Sequence, residues 1–328
     1  MIDAFASLDH LYDHAAAVWR ALPDDERGTF YVASRALAAR ARADGIEARR
    51  DLPREPGPPL LVANCLDLTE SHSSRAIVYL QHGAGQTYTG VERNESYAGG
   101  RWRHRVVLFL EPHERTAELE RAVYPQAQVA VVGSPYLDEL TYAAAHEPPG
   151  EATKPTVALA WHWNLALVPE TRWAWDHFRH AVRALAEQGD YELLGHGHPR
   201  ALPSLTAYYR QFGIEVVPEL AEVCRRADLL VLDNTSAGPL FAAATGRPLC
   251  WLDAPWYRRD VEHGGRFWQW PHGQVSCAEP EQLAATIVEA LADPSEVRAA
   301  RAAMVDGIFA AETRGVAGQL AAAAIMGL

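Results

Sequence analysis

Short apolar runs alternate with helix-length stretches along almost the whole chain. In the first half the runs are TFYVAS, PLLVAN, AIVYLQ, RVVLFL and QVAVVG; between them lie DHAAAVWRAL, SRALAARARADG and ERTAELERAVY. Uninterrupted apolar runs predict strands buried on both faces, and their alternation with helices predicts a parallel sheet. Residues 143–156, AAAHEPPGEATKPT, are rich in Pro, Gly and charge and read as a linker. The alternation then restarts. TVALAW, YELLGHG, IEVV, DLLVLD and PLCWLD are strand candidates, and ETRWAWDHFRHAVRALAEQG, EPEQLAATIVEAL and PSEVRAARAAMVDGIFAAE are helical. GVAGQLAAAAIMG closes the pattern as a last helix.

This predicts two Rossmann-like α/β domains, 1–148 and 149–328, with parallel sheets facing a central cleft and the last helix packing back on the first domain. A cleft between two such lobes is the expected active site.

Composition narrows the partners. The 328 residues carry a net charge of −12, which gives no electrostatic case for nucleic acid or an anionic membrane. Lys154 is the only lysine. Arginine suits bidentate contact with phosphate, although a coding bias leaves the same imprint. Cys65, Cys224, Cys250 and Cys277 are far apart, form no CxxC pair and read as buried reduced thiols, so a cytoplasmic location is expected. The opening MIDAFASLDHLYDH is acidic and does not read as a signal peptide, and no long apolar stretch predicts a membrane span.

Six stretches can carry chemistry. In QHGAGQTYTG, His82 and Gly83 leave a predicted strand; the segment is either a tight strand-to-helix turn or a site where a proton is moved. In DLLVLDNTSAGPLFAAATGRP, Asp233, Asn234, Thr235 and Ser236 are all good helix N-caps, and Pro239 fits only a first turn. The helix N-terminus there, with the hydroxyls of Thr235 and Ser236 and the bare backbone at Ala237 and Gly238, is either plainly capped or an anion site.

YELLGHGHPR carries His196, His198 and Arg200, suited to a diphosphate; a surface turn is the alternative, and an HxH metal pair lacks a third ligand of suitable spacing. VVGSPYLDEL offers Gly133 and Ser134 as a helix start or a cleft lining. WHWN offers Trp161, His162 and Trp163 as stacking or packing groups. APWYRRDVEHGGRFW groups Tyr257, Arg258, Arg259, His263 and Arg266 in a loop that either orders over a phosphorylated ligand or is solvated. No GxGxxG after the first strand, GxxxxGK[ST], GxSxG or HExxH occurs.

Taken in order, the HG turn, GSPYLD, GHGHPR and DNTSAGPLFAAATGRP resemble the CDP-glycerol glycerophosphotransferase family, two-domain GT-B enzymes of teichoic-acid synthesis. The resemblance covers most of residues 7–290, and the same fold serves UDP-sugar glycosyltransferases and UDP-GlcNAc 2-epimerase-like enzymes. It implies His82 as general base on an acceptor hydroxyl. It implies His198 and Arg200 on the donor pyrophosphate, with Asn234, Thr235, Ser236, Ala237 and Gly238 holding phosphate oxygens. The expected reaction moves a glycosyl or polyol-phosphate group from a nucleotide-diphosphate donor to a soluble hydroxyl acceptor, with no cofactor and no metal; a homodimer is compatible. The alternatives are a UDP-sugar epimerase or hydrolase and a non-catalytic nucleotide-sugar binding protein. The chain departs from the family at Ala84-Gly85-Gln86, where the polymerases have threonine-proline, and at Leu240, Phe241 and Ala242, where an acid is usual.

Overall fold

The computed structural model describes residues 1–63, 67, 74–84, 104–146, 154–164, 172–257 and 274–328. Two compact units emerge, one formed by Met1–Asp138 with Phe309–Leu328 and the other by residues 139–257 with 274–308.

The first unit holds strands β1 (Ile2–Ala6), β2 (Arg27–Val32), β3 (Ala48–Arg49), β4 (Leu60–Val62), β5 (Ile77–Leu80), β6 (Val106–Glu111) and β7 (Gln128–Val131). They form one sheet in the order β3-β2-β1-β4-β5-β6-β7, with every pairing parallel. The second unit holds β8 (Thr156–Ala160), β9 (Glu192–Gly195), β10 (Glu215–Val216), β11 (Leu229–Leu232), β12 (Leu249–Leu252) and β13 (Val275–Cys277). Their order, β10-β9-β8-β11-β12-β13, is again all parallel. Each sheet reverses direction of growth once, between β1 and β4 and between β8 and β11. At such a switch point the connecting helices depart to opposite faces and leave a crevice at the C-terminal strand ends.

Helices α1 (Asp9–Ala21), α2 (Arg35–Ala43), α3 (Glu114–Val123) and α4 (Pro135–His146) follow strands of the first sheet. In the second unit come α5 (Trp175–Gln188), α6 (Leu202–Gln211), α7 (Leu220–Arg226), α8 (Ala237–Thr245), α9 (Leu283–Leu291) and α10 (Ser295–Ile308). The last helix, α11 (Ala317–Met326), belongs to the first unit, where the backbone of Gly318 lies against Ala21 of α1.

Burial explains why these runs are strands. Ala4, Phe30, Val32, Leu61, Val78, Leu80, Leu108 and Leu110 face one layer of helices, while Phe5, Tyr31, Leu60, Val62, Ile77, Tyr79 and Phe109 form a second core on the opposite face. Residues alternate between the two cores, so a strand must be apolar at every position. Each fully buried Leu, Ile or Phe contributes about 2 kcal/mol of transfer free energy.

The expected linker is shorter than its composition suggested. Helix α4 runs through Ala143, Ala144 and Ala145, all strong helix formers, to His146, two residues before Pro148. Gly246 ends α8 as expected, as a left-handed cap with φ +70° whose N–H donates to the Ala242 carbonyl (2.8 Å).

Candidate functional site

Because every strand in a sheet is parallel, the loops leaving β8, β9 and β11 emerge at one edge of the second sheet, on either side of its switch point. His162, His198 with Arg200, and the Asp233–Gly238 segment are therefore neighbours by topology. Side-chain contacts tie them together.

Asp233 is the anchor. Its carboxylate accepts the His162 N–H (2.7 Å) and the Ala174 N–H (2.9 Å), so it joins the loop after β8 to the first turn of α5. Burial pushes its pKa up to about 7, against the two backbone donors that favour the ionised form. Sequence reasoning assigned Asp233 as a cap of α8. It does not cap that helix, because its oxygens are taken by donors from elsewhere.

His162 is buried, and its Nδ1 lies 2.8 Å from the Trp163 carbonyl. A carbonyl only accepts, so Nδ1 carries the proton and Nε2 of the neutral ring presents a lone pair. His198 has the opposite arrangement. Its Nδ1 accepts the Arg200 N–H (3.1 Å), which leaves Nε2–H of the neutral ring as a donor. The two ring centroids are 5.8 Å apart. Trp163 lies parallel to His198 within 28° at 5.9 Å, and the Arg200 guanidinium carbon stands 4.6 Å from the Trp163 ring centroid.

His196 does not join this group. It is buried, with Nδ1 2.9 Å from the Val217 carbonyl, and burial lowers its pKa, so it is a neutral core residue. The split follows from where the strand ends: β9 stops at Gly195, and the chain leaves extended alternation through Gly197, so residues two apart no longer share a face.

The N-terminus of α8 is only lightly satisfied. The Ser236 side chain makes no capping bond, and Ala237 N–H reaches the Thr235 hydroxyl at 3.4 Å. Asn234 and Thr235 are buried; Ser236 is half-buried. Gly238 has a packing reason for being glycine, since a Cβ there would stand 2.3 Å from Leu232 Cδ1. Close approach of a ligand is not needed to explain it.

In the first unit, His82 follows β5 and is half-buried, with Gly83 behind it at φ +65°, a left-handed turn position suited to glycine. Two histidines of α1 pack against it: His14 edge-on at 5.9 Å and His10 at 6.4 Å. His14 also meets the Tyr136 ring at 4.7 Å. Burial, with added repulsion from His82 and His10, holds His14 well below the ordinary imidazole pKa, so it is neutral. His113 fixes the same turn from the next strand. Its Nδ1 accepts the Thr116 N–H (3.3 Å), capping α3, and its Nε2–H faces the Ala84 carbonyl (3.3 Å). Burial lowers its pKa to about 4.

Sequence reasoning missed His10, His14 and His113. A readable signal existed: His10 and His14 are four residues apart on a helix and share a face. Gly133 and Ser134 have structural roles. Gly133 adopts φ +78° where a Cβ would meet Thr313 at 2.7 Å or less, and the Ser134 hydroxyl accepts the Leu137 N–H (3.4 Å) at the start of α4. Tyr257 is likewise a core residue, stacked within 7° on Trp251 with its hydroxyl donating to the Arg172 carbonyl (3.0 Å). Arg258, Arg259, His263 and Arg266 lie outside the described residues, as does Cys65; Cys224, Cys250 and Cys277 are free, buried thiols. Among the described residues no three His, Cys, Asp or Glu side chains cluster as a metal site, and no helix is long and apolar enough to cross a membrane.

No protein-family model matches the sequence, and no curated protein does. Solved structures do share the fold. A variant of the wall teichoic acid polymerase TagF soaked with CDPG superposes with a TM-score of 0.64 at 14% identity, over 99% of this chain and 88% of that one. S. aureus MnaA in complex with UDP gives 0.63 at 14% identity, over 97% and 93%. The UDP-GlcNAc 2-epimerase of Neisseria meningitidis bound to UDP-GlcNAc gives 0.61 at 12% identity, over 100% and 99%. At these identities the likeness is one of architecture: the chain has the two Rossmann-like units of the GT-B fold.

Proposed function

We propose that the chain is a nucleotide-sugar-related GT-B enzyme, and specifically a transferase. It moves a glycosyl or polyol-phosphate group from a nucleotide-diphosphate donor to a hydroxyl acceptor. The observation that carries the reading is the grouping at the switch point of the second sheet: His162, His198 and Arg200 beside the sparsely capped N-terminus of α8. His198 Nε2–H, the Arg200 guanidinium and the α8 N–H groups are donors or a cation, which is what a diphosphate requires. Nucleotides at the C-terminal edge of such sheets follow the general rule for open parallel α/β folds.

In the proposed reaction, His82 takes the proton of the acceptor hydroxyl as its oxygen attacks the donor. The bond from the transferred group to the leaving nucleotide phosphate breaks, and the electron pair stays on the phosphate oxygen. Negative charge grows there, and His198 Nε2–H, Arg200, the hydroxyls of Thr235 and Ser236 and the α8 N–H groups meet it. Asn234, Ala237 and Gly238 supply the backbone of that cradle. This reading gives no role to a metal or cofactor. An imidazole with an ordinary pKa near 6.5 suits proton transfer at neutral pH.

A second reading, a nucleotide-sugar epimerase or hydrolase, is favoured by the comparable likeness to the UDP-GlcNAc 2-epimerase of Neisseria meningitidis and by the apolar Leu240, Phe241 and Ala242 in α8.

A thermal-shift screen of CDP, UDP, GDP, ADP and dTDP conjugates tests both. A ligand at a hundred times its dissociation constant stabilises by about 2.7 kcal/mol. Binding by none of them overturns the donor reading. With the donor known, release of a modified free sugar in the absence of acceptor selects the epimerase or hydrolase over the transferase.

A further inference from the structure

We infer that Trp163 is the positioning residue of the second unit, the group that orients the His198 ring and holds Arg200 for an anion without cancelling its charge. The inference rests on the diphosphate reading above. Three contacts converge on this one residue. Its ring is stacked with the His198 imidazole, the Arg200 guanidinium stands over it at 4.6 Å, and its carbonyl accepts from His162 Nδ1.

The chemistry of the Arg200 contact matters most. Arginines near a sheet edge are often held by a carboxylate, which fixes the side chain and cancels its charge. Among the described residues the contacts of Arg200 are the Trp163 ring and, through its main chain, His198 Nδ1; no Asp or Glu pairs with it. An indole attracts the guanidinium through its ring quadrupole and leaves the charge and the N–H fork available. The same residue pair sets the neighbouring imidazole: Arg200 N–H fills His198 Nδ1, so the outward atom of the neutral ring is a donor. The His162 contact uses the Trp163 main chain and survives any substitution there. It therefore serves as an internal control.

The wider charges around this set are consistent. Asp233 is turned to the His162 and Ala174 N–H groups, so its charge is spent on backbone donors and not on the arginine. Trp163 itself is only half-buried, unlike the fully buried Trp161 beside it, so its ring is not required to fill the core.

The test compares W163F, which keeps an aromatic face, with W163L, which keeps apolar bulk and loses it. UDP is the probe, titrated by calorimetry, with uridine as the control that lacks phosphate. W163L should weaken UDP binding at least tenfold and leave uridine within about twofold; W163F should stay within about threefold of the parent. R200Q should weaken UDP strongly in the parent and little in W163L, because the arginine is no longer held. Additive losses from R200Q and W163L overturn the proposal, as does an unchanged affinity in W163L.

A second readout needs no ligand. Imidazole ¹⁵N shifts in the free protein should change for His198 in W163L and stay fixed for His162. An unchanged His198 signal overturns the proposal even if UDP affinity falls. Failure of the parent protein to bind UDP or any other nucleotide diphosphate removes the donor reading instead, and the ¹⁵N comparison still decides whether Trp163 sets His198.

Discussion

The two sheets share one strand order up to the seventh strand of the first, yet their C-terminal edges are built for different work. At the first edge, imidazoles lie against imidazoles and a tyrosine, and burial keeps His14 and His113 neutral. At the second, imidazoles are fixed by backbone carbonyls and N–H groups, an arginine rests on an indole, and a helix N-terminus is thinly capped. A cluster of mostly neutral rings can accept a proton but holds no anion. A guanidinium, an imidazole N–H and a helix N-terminus hold an anion, a task the first cluster is not built for. One topology thus hosts two chemistries, decided by a few loop residues.

The sharpest way to break this contrast is H82A. Turnover should fall by about 10²–10⁴-fold while nucleotide affinity stays within a fewfold, because the loss is confined to proton transfer. Steady-state rates beside calorimetric titration check this, and equal losses in rate and affinity would merge the two roles that the comparison separates.

D233A comes next. It removes the acceptor of two buried N–H groups, each costing about 1–3 kcal/mol when left unpaired. Urea denaturation should therefore show a loss of about 2–5 kcal/mol, with weaker nucleotide binding because the His162 loop is released.

The neutral histidines predict acid lability. His14, His113 and His196 titrate lower in the folded chain than unfolded, so the unfolded state binds more protons below pH 6.5. Stability is then lost as pH falls from about 6.5 towards 4, and His113 alone accounts for up to about 3 kcal/mol of it. Asp233 opposes this over the same window, since its folded pKa of about 7 keeps a proton that the unfolded chain releases. H113N, which can still cap α3, removes the His113 share, so its stability should fall less towards acid than the parent's in denaturation at successive pH values.

The smallest effect separates neighbouring hydroxyls. S236A should change stability by less than about 0.5 kcal/mol, since its side chain caps nothing, whereas T235A should cost about 1 kcal/mol by removing the acceptor of Ala237 N–H. S236A should still weaken UDP binding severalfold.

Long apolar runs made most of the fold legible. Strand β5, every residue of it buried, could be nothing else. Three strands escaped for physical reasons. β3 and β13 are two and three residues long. β1 contains Asp3, a charge that looks wrong for a buried strand until Arg75 and the Thr29 N–H are seen to satisfy it, with Gly28 giving it room. Such compensation joins residues far apart in sequence, and no local pattern reveals it. The candidate sites follow the same rule. His82, His198 and Arg200 were visible because each follows a strand and sits beside glycine or proline. The partners that tune them, His14, His113 and Trp163, come from other strands and helices, and only the sheet order brings them near.

The helix Ala317–Met326 has a consequence for synthesis. It covers α1 of a unit whose strands all precede it by the length of the entire second unit. On the ribosome, the apolar flank of α1 must stay uncovered while the second sheet is made and folded. The nascent first unit is therefore the one that a chaperone would need to shield, and removing residues 317–326 should expose that flank permanently and raise the tendency to aggregate.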